Sequence, residues 1–144
     1  MTTDFGRWTQ RLGILLFLLG LISGLLVPAM ANPRMGLTSH LEGVMNGTFL
    51  VVLGLLWTQL TLGRVAQQIL FGVTMYGSYA NWLATTLAGW WGAGAGLMPI
   101  AGGEHVGSAV QEGLIAFALI SLSVAMVVAC VMILFGLRGP GPAN

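Results

Sequence analysis

Four stretches of this chain, roughly 12–31, 38–60, 66–89 and 109–137, each hold about 20 or more mostly apolar residues, the length that crosses the hydrocarbon core of a bilayer. No other feature restricts the fold as strongly. Hydrophobic residues make up 56% of the 144 and charged ones 6%, with no lysine, whereas soluble domains carry about 25% charged residues. The expectation is an all-α, polytopic membrane protein: a four-transmembrane-helix bundle forming one membrane domain over 1–144. Its helices are drawn at about 9–31, 38–60, 64–89 and 109–137, with short turns between them and one longer loop at 90–108.

Arginine sets the expected orientation, because short cytoplasmic loops are enriched in Lys and Arg. With four spans, both termini and the 61–65 turn share one side, which holds Arg7, Arg11, Arg64 and Arg138; the other side holds Arg34. Both termini are therefore expected in the cytoplasm of a bacterium, with the chain integral to the inner membrane. Residues 7–31 imitate a signal peptide, with Arg7, Arg11, an apolar run and Ala29-Met30-Ala31, but the run is long for a signal core and reads as a retained first helix. Cys130 stands alone in the last span and reads as packing, offering neither a disulfide nor a cysteine metal site. The 22 glycines suit membrane helices that approach through small residues, and the GPGPAN tail reads as flexible. The near-neutral charge, without a basic patch, gives no reason to expect nucleic acid.

The scarce polar chemistry gathers at one end. Arg34, His40, Glu42, Asn46, Glu104, His105, Gln111 and Glu112 all fall toward the non-cytoplasmic ends of their helices. Ionisable groups in a bilayer are costly, and mark function or paired structural sites. At about 100° per residue, Gly43, Val44, Gly47, Val51 and Gly54 lie within roughly 60° of His40 on the second helix, so a broad flat object could lie against small residues below the histidine. Glu42 and Asn46 point about 200–240° away, toward a neighbouring helix or subunit. On the third helix Ser78, Asn81 and Thr85 form a polar stripe, while Tyr76, Tyr79, Trp82, Trp90 and Trp91 suit an interfacial aromatic belt. An interfacial histidine above helix-packing glycines and an asparagine bonding between helices would also produce this pattern.

Zinc wants three or four N, S or O ligands, and two histidines with one distant cysteine supply it poorly. Haem needs a single protein ligand and an apolar pocket, and one histidine leaves its sixth position open. A haem-binding anchor that passes electrons would need a second axial ligand, for which His105 is the available histidine. A helical oligomer without a cofactor, acting as a channel or structural subunit, is the reading with no chemistry at all.

The strings NPRMGLTSHLEGVMNG (32–47) and YGSYANWLATTLAGWWGAGAGLMPIAGG (76–103) resemble the hydroxylaminobenzene mutases, over about Leu12 to Arg138. More distantly the chain is similar to styrene oxide isomerases, sharing a histidine with Asn-Gly starting six residues on (His40, Asn46-Gly47) and an Ala-Asn in the third helix (Ala80-Asn81). The resemblance implies a small membrane isomerase that turns phenylhydroxylamine into 2-aminophenol by intramolecular hydroxyl transfer. It also implies a homotrimer with haem b at the subunit interface, the iron ferric, acting as a Lewis acid and held by His40 as the single axial histidine. Gly43 and Gly47 would flank the haem, Arg34 would face a propionate or the lipid headgroups, and Asn46 and Asn81 would orient the small aromatic substrate. Glu42, beside His40, is the first choice of proton donor, ahead of Glu104 and Glu112. Two departures weaken the alternative of epoxide isomerisation: the styrene oxide enzymes carry a tyrosine where this chain has Thr85, and an acidic residue where it has Gly77.

Overall fold

A computed structural model describes residues 4–139; the tail read as flexible lies, from 140 onward, outside the described residues. The described chain is all-helical: α1 (Phe5–Leu26), α2 (Pro33–Leu56), α3 (Arg64–Trp91), the single turn α4 (Pro99–Gly102) and α5 (Ala109–Gly136).

Local chemistry explains where each helix begins and ends. The Asp4 carboxylate accepts from the Arg7 amide at 3.0 Å and starts α1 four residues before the expected 9. Pro28 cannot donate to the helix ladder, so α1 tightens into a 3₁₀ turn at Val27–Ala29 and stops. Asn32 then caps α2 through the Arg34 and Met35 amides, with Pro33 in the first helical position, and α2 starts at 33 rather than 38. Gly92, at φ 63°, ends α3 in the left-handed conformation that glycine adopts without strain. Ser108 and Gln111 close a capping box on α5.

Among the described residues, three helices are long and apolar enough to cross a membrane: Phe5–Ala29, Pro33–Gln59 and Ala109–Gly136. The stretch 64–91 forms a helix as long as α5 but less apolar, interrupted by Arg64, Gln67, Gln68, Ser78 and Asn81. The outer faces of the long helices are apolar, with Ile14, Leu18 and Leu25 exposed on α1 and Phe117, Val124 and Val127 on α5. A surface of this kind suits lipid, and the chain is a membrane protein.

α2 lies between α1 and α3, and α3 packs on its far side against α5. The α1–α2 contact is a glycine seam. A Cβ on Gly13 would come within 2.8 Å of the Gly47 carbonyl oxygen, one on Gly20 within 2.6 Å of the Val44 nitrogen, and one on Gly6 within 3.1 Å of the Gly54 oxygen. Two apolar clusters hold α2, α3 and α5 together: Met35, Ala84, Ala88, Ile115, Leu119 and Leu122 toward one end, and Leu53, Trp57, Leu60, Leu70 and Ala129 toward the other. Between them along α2 and α3 lie Glu42, Asn46, Ser78 and Asn81.

Candidate functional site

His40 sits on the second turn of α2, half-buried where α1 passes. Its Nδ1 lies 2.9 Å from the Gly20 carbonyl oxygen. A carbonyl only accepts, so Nδ1 carries the hydrogen, and an imidazole that binds a metal in this position would do so through Nε2. Gly24 backs the ring: a Cβ there would stand 2.6 Å from Nδ1. Beside the imidazole opens a groove of about 570 Å³ lined by Leu21, Gly24, Leu25, Val27, Pro28 and Leu37.

The space near His40 lies elsewhere than the helical angles imply. Gly43 and Gly47, expected to flank a flat cofactor, are both buried beneath α1: Gly43 faces the Gly20 backbone and Trp82, and Gly47 faces Phe17 and Gly13. A stripe of small residues serves equally to bring another helix close, and here it does so. The opening is on the other flank, formed by the end of α1 where Pro28 turns the chain away.

Glu42 faces the opposite side. Its Oε2 accepts from the Asn46 amide at 2.9 Å and from the Asn81 amide at 2.6 Å, joining α2 to α3. Asn46 Nδ2 also donates to the Glu42 carbonyl. Among the described residues no hydrogen bond reaches Oε1, so the carboxylate is clamped at one oxygen and free at the other. Glu42, Asn46 and Asn81 are thus brought into one group by the packing of α2 on α3. His40 is not part of it. Between the two flanks of α2 runs an exposed apolar stripe, with Leu37, Leu41 and Met45 at 51%, 47% and 64% exposure.

The remaining candidates scatter. Arg34 lines a separate recess of about 430 Å³ with Asn32, Gly102, Gly103, Glu104 and His105, so His105 is not brought to His40's groove. Glu112 acts as a staple: its carboxylate accepts from the backbone amides of Gly94 (2.8 Å), Gly107 (3.1 Å) and Gly96 (3.2 Å) and holds the loop between α3 and α5. Buried Asn32 ties the same loop from α2, donating to the Ala101 and Gly102 carbonyls. Tyr76 bonds Ser121 at 2.6 Å, Tyr79 donates to the Leu12 carbonyl at 2.8 Å, and the buried Thr85 hydroxyl donates to its own helix. Both phenols are thus engaged by partners within the chain, and Gly77 faces the Met126 thioether of α5.

Two contributions escape a reading of single helices: the Gly20 carbonyl that fixes the His40 tautomer, and the Ser23 hydroxyl that receives the Trp82 indole at 2.8 Å. The spacing of Gly6, Gly13 and Gly20, every seventh residue, is the signal that places α1 against α2.

This one-histidine, amide-clamped arrangement can be set beside known proteins. The sequence profile of the styrene oxide isomerase family matches residues 5–138. The chain belongs to that family. It is 66% identical over 132 residues to hydroxylaminobenzene mutase HabB of Ectopseudomonas oleovorans, covering 92% of this chain and 80% of the relative. It is 50% identical over 125 residues to hydroxylaminobenzene mutase HabA of the same organism, covering 87% and 93%. No solved structure matches the chain. Mutases are isomerases, and this family member is an enzyme of that class.

Proposed function

We propose that this isomerase converts phenylhydroxylamine-type substrates to 2-aminophenols, using haem b held by His40 and a proton carried by Glu42. It spans the bacterial inner membrane four times with both termini cytoplasmic, and works as a homotrimer. The observation that carries the reading is that α2 presents, on opposite flanks, an imidazole held through Nδ1 by the Gly20 carbonyl and a carboxylate clamped at one oxygen. A haem on one copy's His40 and the Glu42 of a neighbouring copy would therefore meet across the interface.

The donor set suits haem. His40, with Nδ1 engaged by Gly20 and an apolar groove beside the ring, is the residue that would hold a haem through Nε2. Among the described residues no group of three or more His, Cys, Asp or Glu comes together, which zinc would want. The Gly20 carbonyl acts as the outer partner that orients a ligating imidazole. Arg34 lines the separate recess with Glu104 and His105, where its planar fork suits a lipid headgroup rather than a propionate of a haem at His40. When bound, the haem iron supplies a Lewis acid that draws electron density from the substrate heteroatom.

The chain's own residues supply the proton traffic. Rearrangement of an aryl hydroxylamine breaks the N–O bond, forms a C–O bond at the ortho carbon, places a proton on nitrogen and removes one from that carbon. Glu42 Oε1, free of hydrogen bonds, delivers the first proton and receives the second, so the reaction is balanced without an oxidant. Asn46 and Asn81 hold Oε2 and so aim Oε1. The exposed stripe of Leu37, Leu41 and Met45 separates His40 from Glu42 within one chain, which supports a neighbouring copy covering that face and shutting water out.

Absorption spectra and phenylhydroxylamine turnover of the detergent-purified protein test this reading. The chain should show a Soret band that shifts on dithionite reduction, and His40→Ala should lose both the band and turnover. A wild-type protein that is active with no haem, or a His40→Ala variant that remains active, would remove haem from the reaction.

A further inference from the structure

Ser78 is fully buried, and its Oγ is the one buried side-chain polar atom among the described residues with no hydrogen-bond partner. A serine inside a helix ordinarily turns its hydroxyl to the carbonyl three or four residues back, as Thr74, Thr85 and Thr86 do on this same helix. Ser78 does not.

The register of α2 against α3 says what it faces. Ser39 pairs with Thr86 at 2.5 Å, Glu42 with Asn81 at 2.6 Å, and Gly43 abuts Trp82. The helices are antiparallel, so a turn down α2 from Glu42 lies opposite a turn back along α3 from Asn81. That step sets Ser78 opposite Asn46. The Asn46 amide nitrogen is engaged with Glu42, while no hydrogen bond among the described residues uses its carbonyl oxygen. The fully buried Ser78 hydroxyl and the Asn46 amide oxygen, neither of them hydrogen-bonded among the described residues, thus sit at one level of the α2–α3 interface, and an unpaired buried hydroxyl is costly.

We propose that Ser78 is a positioning residue for Glu42: it and Asn46 share one buried water, extending the chain Asn81–Glu42–Asn46 to Ser78. Buried waters are held by two to four polar groups of this kind. The water fixes the Asn46 amide with its nitrogen toward Glu42, and so keeps the free carboxylate oxygen aimed. This rests on the role of Glu42 proposed above.

The test combines Ser78→Ala, Ser78→Cys and the cycle of Ser78→Ala with Asn46→Ala, in the full-length protein in detergent. Ser78→Ala should lower Tm by about 2–4 °C and kcat for phenylhydroxylamine about tenfold at unchanged KM. Ser78→Cys, which keeps the volume but bonds weakly, should show the same losses. In an Asn46→Ala background Ser78→Ala should change neither quantity further, since coupled partners are non-additive. A hydroxyl with no partner predicts the opposite: its removal raises or holds Tm and its effects add to those of Asn46→Ala, which overturns the proposal. Should Asn46→Ala fail to fold, the sign of the Tm change in the two Ser78 variants decides. The melting measurements need no turnover, so a protein inactive toward phenylhydroxylamine sinks the proposed reaction while Ser78 is still decided.

Discussion

Along α1, α2 is met by glycine: Gly13 against Gly47 and Gly20 against Gly43, backbone on backbone, without room for a methyl group. Along α3 it is met by side chains: Ser39 on Thr86, and Glu42 held by Asn81. The first contact is stabilised by close van der Waals packing, which membrane helices rely on because lipid is as apolar as their own side chains. The second is stabilised by hydrogen bonds that a dry surrounding strengthens. A glycine seam excludes everything, so it can position a group only at its end, where it carries the Gly20 carbonyl to His40. A side-chain seam keeps polar atoms at a fixed spacing, and one of them can be left free to react.

The sharpest way to break this comparison is to change the α3 side without touching its packing. Glu42→Gln keeps the shape and one acceptor oxygen but cannot carry a proton as an acid. Turnover should fall by about 10²–10⁴-fold, with the Soret band and melting temperature nearly unchanged. A variant that retains turnover would leave Glu42 a structural clamp. On the α1 side the effect should be the reverse kind. Gly47→Leu forces a side chain into the Phe17 backbone and should destabilise by about 1–3 kcal/mol or more, read as a lower melting temperature in detergent, with activity lost only as the fold is lost. A tolerated leucine would mean that the helices stand farther apart than the seam requires. The smallest change belongs to the loop: Glu112→Gln weakens the charge-assisted bonds to Gly94, Gly96 and Gly107. It should cost about 1–2 kcal/mol and raise amide exchange in the 92–108 loop while leaving turnover intact. Lost turnover at full stability would return Glu112 to the list of proton donors.

Much of this was legible in the chain itself. Apolar runs fixed the helical class and the four long helices to within a few residues at most ends, because burying a backbone in lipid demands internal hydrogen bonds. The early starts of α1 and α2 were written in Asp4, Asn32 and Pro33, cap residues outside the apolar runs. Helical angles separated His40 from Glu42 and sent Glu42 with Asn46 toward a neighbour, which is Asn81 of α3.

The use of each face could not be read that way. Gly43 and Gly47 present the same smooth surface to a haem as to α1, and only the packing shows that α1 occupies it. The sequence ranks Glu42 ahead of Glu104 and Glu112 only by its place beside His40. The packing separates them otherwise, with Glu112 bonded to loop amides and Glu42 left with one oxygen free of hydrogen bonds among the described residues. A sequence determines which groups a helix carries and in which direction each leaves it, since those follow from a fixed local geometry. Which of those groups find partners depends on atoms from other helices, and that was decided by the tertiary structure.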